Sequence, residues 1–250
     1  TQAILSGLAG EEKSRRIIEE ALRRQKTYGL STISGTLLPP YPRHTFKHPM
    51  LDDPFEYQNG GQWDWFGGRL ICAMFEKGYS HPALEKLLEI VHKNLANRSF
   101  YEWDTKEGIG RGNGFFCGSA GSVGRAIFEG LLGIKVRRDR LSLQPRLGKE
   151  RAKIQVYIPS WDRFAAYQYR WDEKEEKVSL DYNSNVSGRG TIKILIPQKG
   201  GNTGRRTAES WEVLIDGRRT GYRWEKKNKD AFIVVETDFK NHRLEAKRIN

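Results

Sequence analysis

Three side-chain amides and two tryptophans are concentrated within nine positions of this 250-residue sequence, 57–65. An amide both donates and accepts hydrogen bonds, so it matches sugar hydroxyls, and an indole ring can stack on a pyranose face. Asn59-Gly60 predicts a turn, and the helix expected beside it leaves backbone amides free to bind a ligand. The alternative is a loop packed by its own aromatic rings, with amides that cap the backbone and an ordinary first-turn helix acid. The candidate substrate-binding residues are Tyr57, Gln58, Asn59, Gln62, Trp63 and Asp64.

A second cluster places one carboxylate among aromatic side chains. Glu102 lies between Tyr101 and Trp103 in a predicted loop that follows a helix. Aromatic walls give a carboxyl group a reason to be a poised general base, and Trp103 is a further substrate-binding candidate. The alternative is an exposed loop acid. Five glycines within residues 108–118 permit tight turns near a ligand, but their spacing matches no phosphate-binding loop, which argues against nucleotide binding.

The metal-binding residue types are too dispersed to predict a metal site, and no cofactor is expected. His44 and His48 have i, i+4 spacing, but they lie in a proline-rich loop where that spacing has no helical meaning. The two cysteines, Cys72 and Cys117, lack metal-ligand spacing and are expected to be buried, reduced thiols. The compartment stays open, with the cytoplasm slightly favoured. The chain begins at Thr1, so we expect the true N-terminus, with any signal peptide, to be missing.

Composition and charge restrict the classes of partner. Hydrophobic residues make up 37% and aromatic residues 11% of the chain, enough for an ordered core, and no apolar stretch approaches the ~18–20 residues of a membrane span. The net charge is +1 over residues 1–134 and +11 over residues 135–250, which indicates a domain boundary. The basic half is either a solvated surface or one that attracts a polyanion, such as an acidic polysaccharide. Its basic pairs lie in no nucleic-acid-binding motif, which disfavours nucleic acid as a partner. The oligomeric state is not predicted.

Hydrophobic periodicity predicts helices in the first half of the chain. Residues 11–24 are amphipathic, and residues 65–77 are apolar nearly all round, which is typical of a buried helix. Residues 82–97, with Ser80 as a possible cap, carry one stripe and are expected to cover that buried helix. Residues 119–132 repeat the buried type, with three glycines expected at close helix approaches, and the proline-rich loop 27–60 is expected to be ordered. The stripe comprises Leu84, Leu87, Leu88, Val91 and Leu95, and the glycines are Gly121, Gly124 and Gly130.

After Ile134 the pattern changes to the alternation typical of β-strands. Asp216-Gly217 is a signal for a two-residue hairpin turn. The fold class is therefore α+β with more than one domain, in which layered helices precede an antiparallel β-sandwich. The predicted boundaries are 1–134 for the helical domain, 135–150 for a linker and 151–250 for the β-sandwich. Strands are predicted at 153–158, 164–169, 177–182, 191–196, 211–215, 231–235 and 243–246.

Three segments, taken in order, resemble the six-hairpin glycosidases, the (α/α)6-barrel clan that includes alpha-L-rhamnosidases, glucoamylase-like enzymes and cellobiose-phosphorylase-like enzymes. Tyr57-Gln58-Asn59-Gly60-Gly61-Gln62-Trp63 is similar to the YQNGxxW motif at the start of an inner helix. Tyr101-Glu102-Trp103-Asp104 is similar to the loop that holds the catalytic base in several members. The third segment, residues 119–134, resembles the last inner helix, and Leu141-Ser142-Leu143-Gln144-Pro145 after it resembles the stretch that leads into a C-terminal β-sandwich. The sequence departs from the pattern at Asp64, where many members have proline.

The resemblance implies the C-terminal part of a longer glycoside hydrolase, with a partial (α/α)6 barrel as its catalytic domain. It implies inverting hydrolysis with Glu102 as the general base and the general acid in an upstream segment, so the chain alone is expected to be inactive. The implied partner is an oligo- or polysaccharide, neutral or acidic. Two alternatives stay open: a phosphorylase-like enzyme, in which phosphate replaces the activated water, and a non-catalytic fragment that binds carbohydrate or polyanions.

Overall fold

The chain divides into two compact units, Thr1–Gly130 and Leu131–Asn250. The computed structural model describes residues 1–136, 140–197 and 211–249. Helices dominate the first unit and antiparallel strands the second, so the chain is an α+β protein. In the described part, no helix combines the length and the apolar character that crossing a membrane requires.

The helical unit contains two long helices, one buried helix of intermediate length and a small hairpin. Helix α2 has Glu11 and Glu12 in its first turn, where acids oppose the helix dipole favourably, and it ends at Gly29 in the left-handed conformation. It is one turn longer than its apolar pattern predicts. The helices are α1 (Gln2–Leu5), α2 (Glu11–Tyr28), α3 (Pro49–Asp52), α4 (Asp64–Glu76), α5 (Ser80–Asn97) and α6 (Cys117–Arg125), with a π-helical turn at Ala126–Leu131 and strands β1 (Trp103–Asp104) and β2 (Gly110–Arg111).

Helix α4 is buried along most of its length, as its all-round apolar pattern predicts, although Phe66 is exposed. Its contact with α6 depends on Gly68, because a Cβ at this position would lie 2.6 Å from the carbonyl carbon of Ser122. Since Cβ atoms do not approach backbone so closely, only glycine allows this helix–helix distance. The close approach predicted between buried helices is therefore present, but a glycine of α4 provides it.

Helix α6 and the π-helical turn after it differ from the prediction of all-round burial for residues 119–132. Open space surrounds both Gly121 and Gly124, whereas Gly130 packs against Phe75. Cys117 is exposed, which corrects the expectation of two buried thiols, and Phe128 is 46% exposed. The apolar residues of this segment are therefore shared between a buried face and an exposed one, a division that composition alone does not show.

Helix α5 buries a different face from the predicted stripe. Its buried residues include Ala83, Leu87, Ile90 and Asn94, which follow the i, i+4, i+7, i+11 spacing of one helix face. Of the predicted stripe, Leu87 alone is buried, and Leu88 and Leu95 are 44% and 69% exposed. The helix also begins at Ser80 rather than being capped by it. The sequence carries two adjacent apolar rows here, and periodicity could not distinguish which one packs against α4.

The second unit consists of two sheets that share one apolar core. The six-stranded sheet has the order β10-β9-β13-β7-β6-β5, the five-stranded sheet has the order β11-β12-β8-β4-β3, and every pairing is antiparallel except β4 with β8. Buried residues of both sheets, such as Leu180, Leu244 and Ile192, form a single cluster. The strands are β3 (Ile134–Val136), β4 (Leu141–Leu143), β5 (Ala152–Ile158), β6 (Arg163–Asp172), β7 (Lys177–Ser184), β8 (Arg189–Leu195), β9 (Trp211–Ile215), β10 (Arg218–Arg219), β11 (Arg223–Lys227), β12 (Asp230–Asp238) and β13 (His242–Arg248).

Each predicted strand has a counterpart in this unit. The Asp216–Gly217 turn is also confirmed, because Ile215 pairs with Arg218 and both turn residues have positive φ. The division between the units falls at Gly130 and Leu131. The sequence pattern predicts a linker at residues 135–150, whereas the structure has strands β3 and β4 there. These strands are too short to show alternation.

Candidate functional site

Glu102 immediately precedes strand β1 of the small hairpin. Its backbone amide donates to the Asn113 carbonyl over 2.9 Å, and its carboxylate Oε2 lies 3.4 Å from the Asn113 backbone nitrogen, a long hydrogen bond. A Cβ at Gly112 would lie 2.5 Å from the same Oε2, so glycine leaves the space that the carboxylate occupies. Glu102 is partly exposed.

Aromatic residues from the two predicted clusters form one connected group. Tyr57 has its ring centroid 5.2 Å from that of Trp63 and 6.0 Å from that of Trp103. The Trp63 indole Nε1 donates to the Tyr57 carbonyl over 3.0 Å, and both indoles are about nine-tenths buried or more. The Trp103 Nε1 has no hydrogen-bond partner among the described residues. The structure therefore joins the two predicted clusters through Tyr57.

Gln62 is an internal support rather than an exposed polar group. Its side chain is fully buried; the amide nitrogen donates to the carbonyl oxygens of Thr105 and Lys106, and the amide oxygen accepts from the backbone and hydroxyl of Thr32. The backbones of Gln62 and Asp104 also exchange two hydrogen bonds of 2.8 and 2.9 Å. These contacts bind the Glu102 hairpin to the start of α4.

Asn59 supports the proline-rich loop in the same way. Its amide oxygen accepts from the backbone of Tyr41 over 2.8 Å, and its amide nitrogen donates to the carbonyls of Tyr41 and Leu51. Asn59 is fully buried, whereas the neighbouring Gln58 is exposed. Of the three predicted sugar-binding amides, Gln58 alone presents its amide to solvent, and the other two follow the alternative in which amides hold the backbone.

A buried charge cluster lies beneath the hairpin. Lys93 of α5 donates to Asp64 over 2.8 Å and also to Asp104, and both aspartates are 1% exposed. Asp64 additionally accepts from Ser34 over 2.9 Å and from Asn94 over 2.6 Å. The cluster connects the first turn of α4, the end of α5 and strand β1. Asp64 thus has internal partners, and its predicted contact with substrate stays a prediction.

Sequence reasoning missed Lys93 and Asp104 as members of this cluster. Lys93 and Asn94 follow Ile90 at i+3 and i+4, so they continue the apolar face of α5 with polar side chains. Polar residues on a buried face need partners, and that requirement was the available signal. Asp104 stood in the recognised Tyr101–Asp104 segment, but nothing in the sequence indicated its burial.

The electrostatics of the cluster are unbalanced, because one ammonium faces two carboxylates. Burial raises the pKa of Asp104 to about 6. The ammonium of Lys93 acts against this rise, and the negative charge of Asp64 adds to it. The proton equilibrium of Asp104 is therefore set by the packing of the hairpin against α4 and α5.

One group of side chains in the described residues has the composition of a metal site. Ligand atoms of Cys72, Glu76 and Glu129 lie within 4.8 Å of one another, with Cys72 buried and both carboxylates half-buried. However, the Arg125 guanidinium lies 3.1 Å from Glu129 Oε2, and a cation in that place competes with a metal ion for the carboxylate. The geometry alone does not assign a metal here.

Comparison with known proteins gives a likeness at the level of the fold. No protein-family model matches the chain, and no curated protein matches it. The alpha-L-rhamnosidase from Dictyoglumus thermophilum superposes on 76% of this chain and 21% of its own, with a TM-score of 0.53 and 13% identity. The GH127 beta-L-arabinofuranosidase Ara127N-Se from Geobacillus stearothermophilus T6 covers 74% of this chain and 30% of its own, with a TM-score of 0.37 and 14% identity.

Both of these structures are glycosidases, and the likeness to the rhamnosidase shows a glycosidase-like fold. The chain spans between about a fifth and a third of the length of these two proteins. The likeness in structure therefore agrees with the sequence resemblance at the level of a glycosidase-like fold, and the (α/α)6 barrel stays a prediction. Neither assigns the reaction or its residues.

Proposed function

We propose that the chain is the C-terminal part of a six-hairpin glycoside hydrolase, in which helices α1–α6 belong to an (α/α)6 barrel and residues 131–250 form its β-sandwich. The fold shared with the rhamnosidase supports this assignment. The exposed Leu88 and Leu95 of α5 support it too, because a barrel helix packs against further hairpins on such a face.

Glu102 is the proposed general base of an inverting reaction. The observation that carries this role is its position: a partly exposed carboxylate on a hairpin that contacts the Trp103–Tyr57–Trp63 aromatic group. An inverting enzyme needs one carboxylate to activate water, with a carboxylic acid ~6.5–9.5 Å away on the opposite face of the sugar. A segment upstream of this chain supplies that acid, so the 250 residues alone are inactive.

The remaining residues divide into contact and support. Gln58 and Tyr57 are the proposed sugar contacts, because Gln58 is exposed and the partly exposed Tyr57 contacts Trp103 of the hairpin. Trp63 and Trp103 form the aromatic floor of the site. Asn59, Gln62 and Asp64 act indirectly, since their hydrogen bonds hold the loop, the hairpin and helix α4 in place.

The decisive experiment uses the longer parent enzyme with Glu102→Gln. Loss of a general base costs roughly 10²–10⁴ in rate, so turnover should fall by that factor while sugar binding is retained. Glu107→Gln is the matched control, because Glu107 is an exposed acid of the same hairpin. The anomeric form of the first product, read by NMR, tests inversion. Near-wild-type turnover of Glu102→Gln would refute the assignment, and stimulation by free phosphate would favour phosphorolysis.

A further inference from the structure

The outer face of the six-stranded sheet contains a shallow, open depression of about 430 Å³. Its centre is Ala166 of β6, which pairs with Gln155 of β5 on one side and Asn183 of β7 on the other. Both partners point to the same face as Ala166. A methyl group between two longer side chains creates the depression, which is about 10 Å wide across two strand spacings.

Amide side chains line this depression without internal partners. Gln155, Gln168, Asn183 and Asn241 contribute to its wall, and none of their side chains forms a hydrogen bond to another described residue. Asn183 lies one residue before the end of β7, opposite Ala166 of β6.

One cation at the edge of the depression is also unpaired. Lys153 pairs with Gln168 in the β5–β6 register, and it makes no ion pair with a described residue. Asp181, on the far side of Gln168, lies 3.5 Å from Arg170 and 3.9 Å from Arg243. Asp181, which also lines the depression, therefore has two arginine contacts, whereas the ammonium of Lys153 has no carboxylate partner among the described residues.

An exposed aromatic ring continues the same face. Tyr157 lies two residues beyond Gln155 on β5, is 55% exposed and is fixed by a 3.0 Å hydrogen bond from its hydroxyl to Asp162. An exposed ring next to amide side chains can bind the apolar face of one sugar while the amides bind the hydroxyl groups of the next.

From these contacts we propose that the depression is a non-catalytic binding site for a uronate-containing oligosaccharide. The amides around Ala166 bind the hydroxyl groups, Tyr157 stacks on a ring, and Lys153 pairs with a carboxylate. The site lies wholly within residues 153–183 and Asn241, and it does not rest on the proposed reaction at Glu102. A carboxylated sugar also fits the net charge of +11 over residues 135–250.

The test titrates the full chain with 1,4-linked trigalacturonate and, as the neutral comparator, 1,4-linked galactotriose. Calorimetry gives the affinities, and NMR follows the side-chain amides of Gln155, Gln168 and Asn183. We expect the acidic trisaccharide to bind on the order of tenfold more tightly than the neutral one, with a preference that falls as salt is raised. If the NMR signals of these side-chain amides shift with neither sugar, the proposal is overturned.

Three variants separate the parts of the site. Ala166→Tyr fills the depression and should weaken both sugars on the order of tenfold or more. Lys153→Gln should remove the preference for the acidic sugar and leave the neutral one unchanged. Lys247→Gln is the control. Lys247 lies on β13, on the same outer face of the six-stranded sheet as Lys153 but outside the depression, and its replacement removes the same charge. If the Ala166→Tyr variant binds both sugars with full affinity, the proposed location of the site is contradicted.

A general attraction for polyanions is the competing explanation. A 12-base-pair DNA duplex serves as the probe, since nonspecific DNA binding depends on net charge and not on sugar hydroxyls. If DNA binds as tightly as trigalacturonate, and if Lys153→Gln and Lys247→Gln weaken both ligands equally, the proposal is overturned. A loss specific to Lys153→Gln and to the acidic sugar supports it.

Discussion

The ammonium group of Lys93 forms an ion pair with Asp104, the second residue after Glu102. The pair is buried, and it joins helix α5 to the hairpin on which the proposed general base lies. A buried ion pair contributes little by itself, but removal of one partner leaves an uncompensated charge in the interior. The hairpin that carries Glu102 is therefore attached to α5 by an ion pair in the interior of the helical unit.

Replacement of Lys93 tests this dependence on stability. Lys93→Met leaves Asp64 and Asp104 buried without their cation, and we expect a loss of about 3–5 kcal/mol in the free energy of opening of α4 and α5. Native-state hydrogen exchange measures that energy for the helical unit alone. Lys86→Met is the control on the same helix; its pair with Glu89 is partly exposed, and we expect a change below about 1 kcal/mol. Equal losses for Lys93→Met and Lys86→Met would show that the buried cluster contributes no more to stability than a partly exposed ion pair.

The raised pKa of Asp104 predicts a dependence of stability on pH. Its ordinary value is 3.8 and its value in the folded chain is about 6, so the folded state binds more protons than the unfolded state between these pH values. The stability that it contributes is present below about pH 4 and is lost as the pH rises through about 6. The Asp104→Asn variant has no carboxyl group to titrate at this position. Between about pH 4 and 6 its free energy of unfolding should therefore fall less than that of the wild type, and the difference should be on the order of 3 kcal/mol.

Denaturant unfolding of the wild type and Asp104→Asn at a series of pH values measures this difference. Glu107→Gln, an exposed acid three residues away, should keep the wild-type slope. Parallel curves for the wild type and Asp104→Asn would show that Asp104 titrates normally.

The two amides Gln58 and Gln62 should behave differently when truncated. Gln62→Ala leaves several buried groups without partners, each worth about 1–3 kcal/mol, and should destabilise the helical unit accordingly. Gln58→Ala removes an exposed amide and should change stability by less than about 0.5 kcal/mol. In the longer enzyme, Gln58→Ala should instead raise KM. Thermal unfolding and steady-state kinetics together distinguish support from sugar contact.

Two glycines of the helical unit give opposite expectations. Gly68→Ala places a Cβ against the Ser122 backbone and should force α4 and α6 apart, with a loss of about 1–3 kcal/mol. Gly124→Ala enters open space on α6, where alanine favours the helix by up to about 1 kcal/mol, and it should stabilise the chain. The order of the two melting temperatures, measured by circular dichroism, checks both. A stabilising Gly68→Ala would contradict the close helix contact.

The sequence predicted where the helices and strands lie better than it predicted which face of each helix is buried. Strand alternation located β5 to β9, β12 and β13, because each has one face in a shared core. Helix α5 shows the limit: Leu84 and Ala83 begin two adjacent apolar rows, and only the packing partner decides which row is buried. Strands β3 and β4 have three residues each, too few for any periodicity.

The candidate site shows a similar division. Residue types and the motif resemblance predicted Tyr57, Trp63 and Trp103 as substrate-binding residues in two separate clusters, and the structure places their rings in one group. Residue type could not tell that Asn59 and Gln62 face inward while Gln58 faces outward, because an amide suits a sugar and a backbone equally well. The ion pair of Lys93 with Asp104 depends on tertiary packing, which no spacing in the sequence expresses.

The unburied row of α5 has a practical consequence for production of the protein. Leu84, Leu88, Val91 and Leu95 lie at successive turns of one face, and the two exposed leucines give concentrated samples a surface for self-association. Leu88→Glu combined with Leu95→Lys would make this face hydrophilic without touching Ala83, Leu87 or Ile90, which pack inside. Such a double variant is the natural starting material for spectroscopy at millimolar concentration.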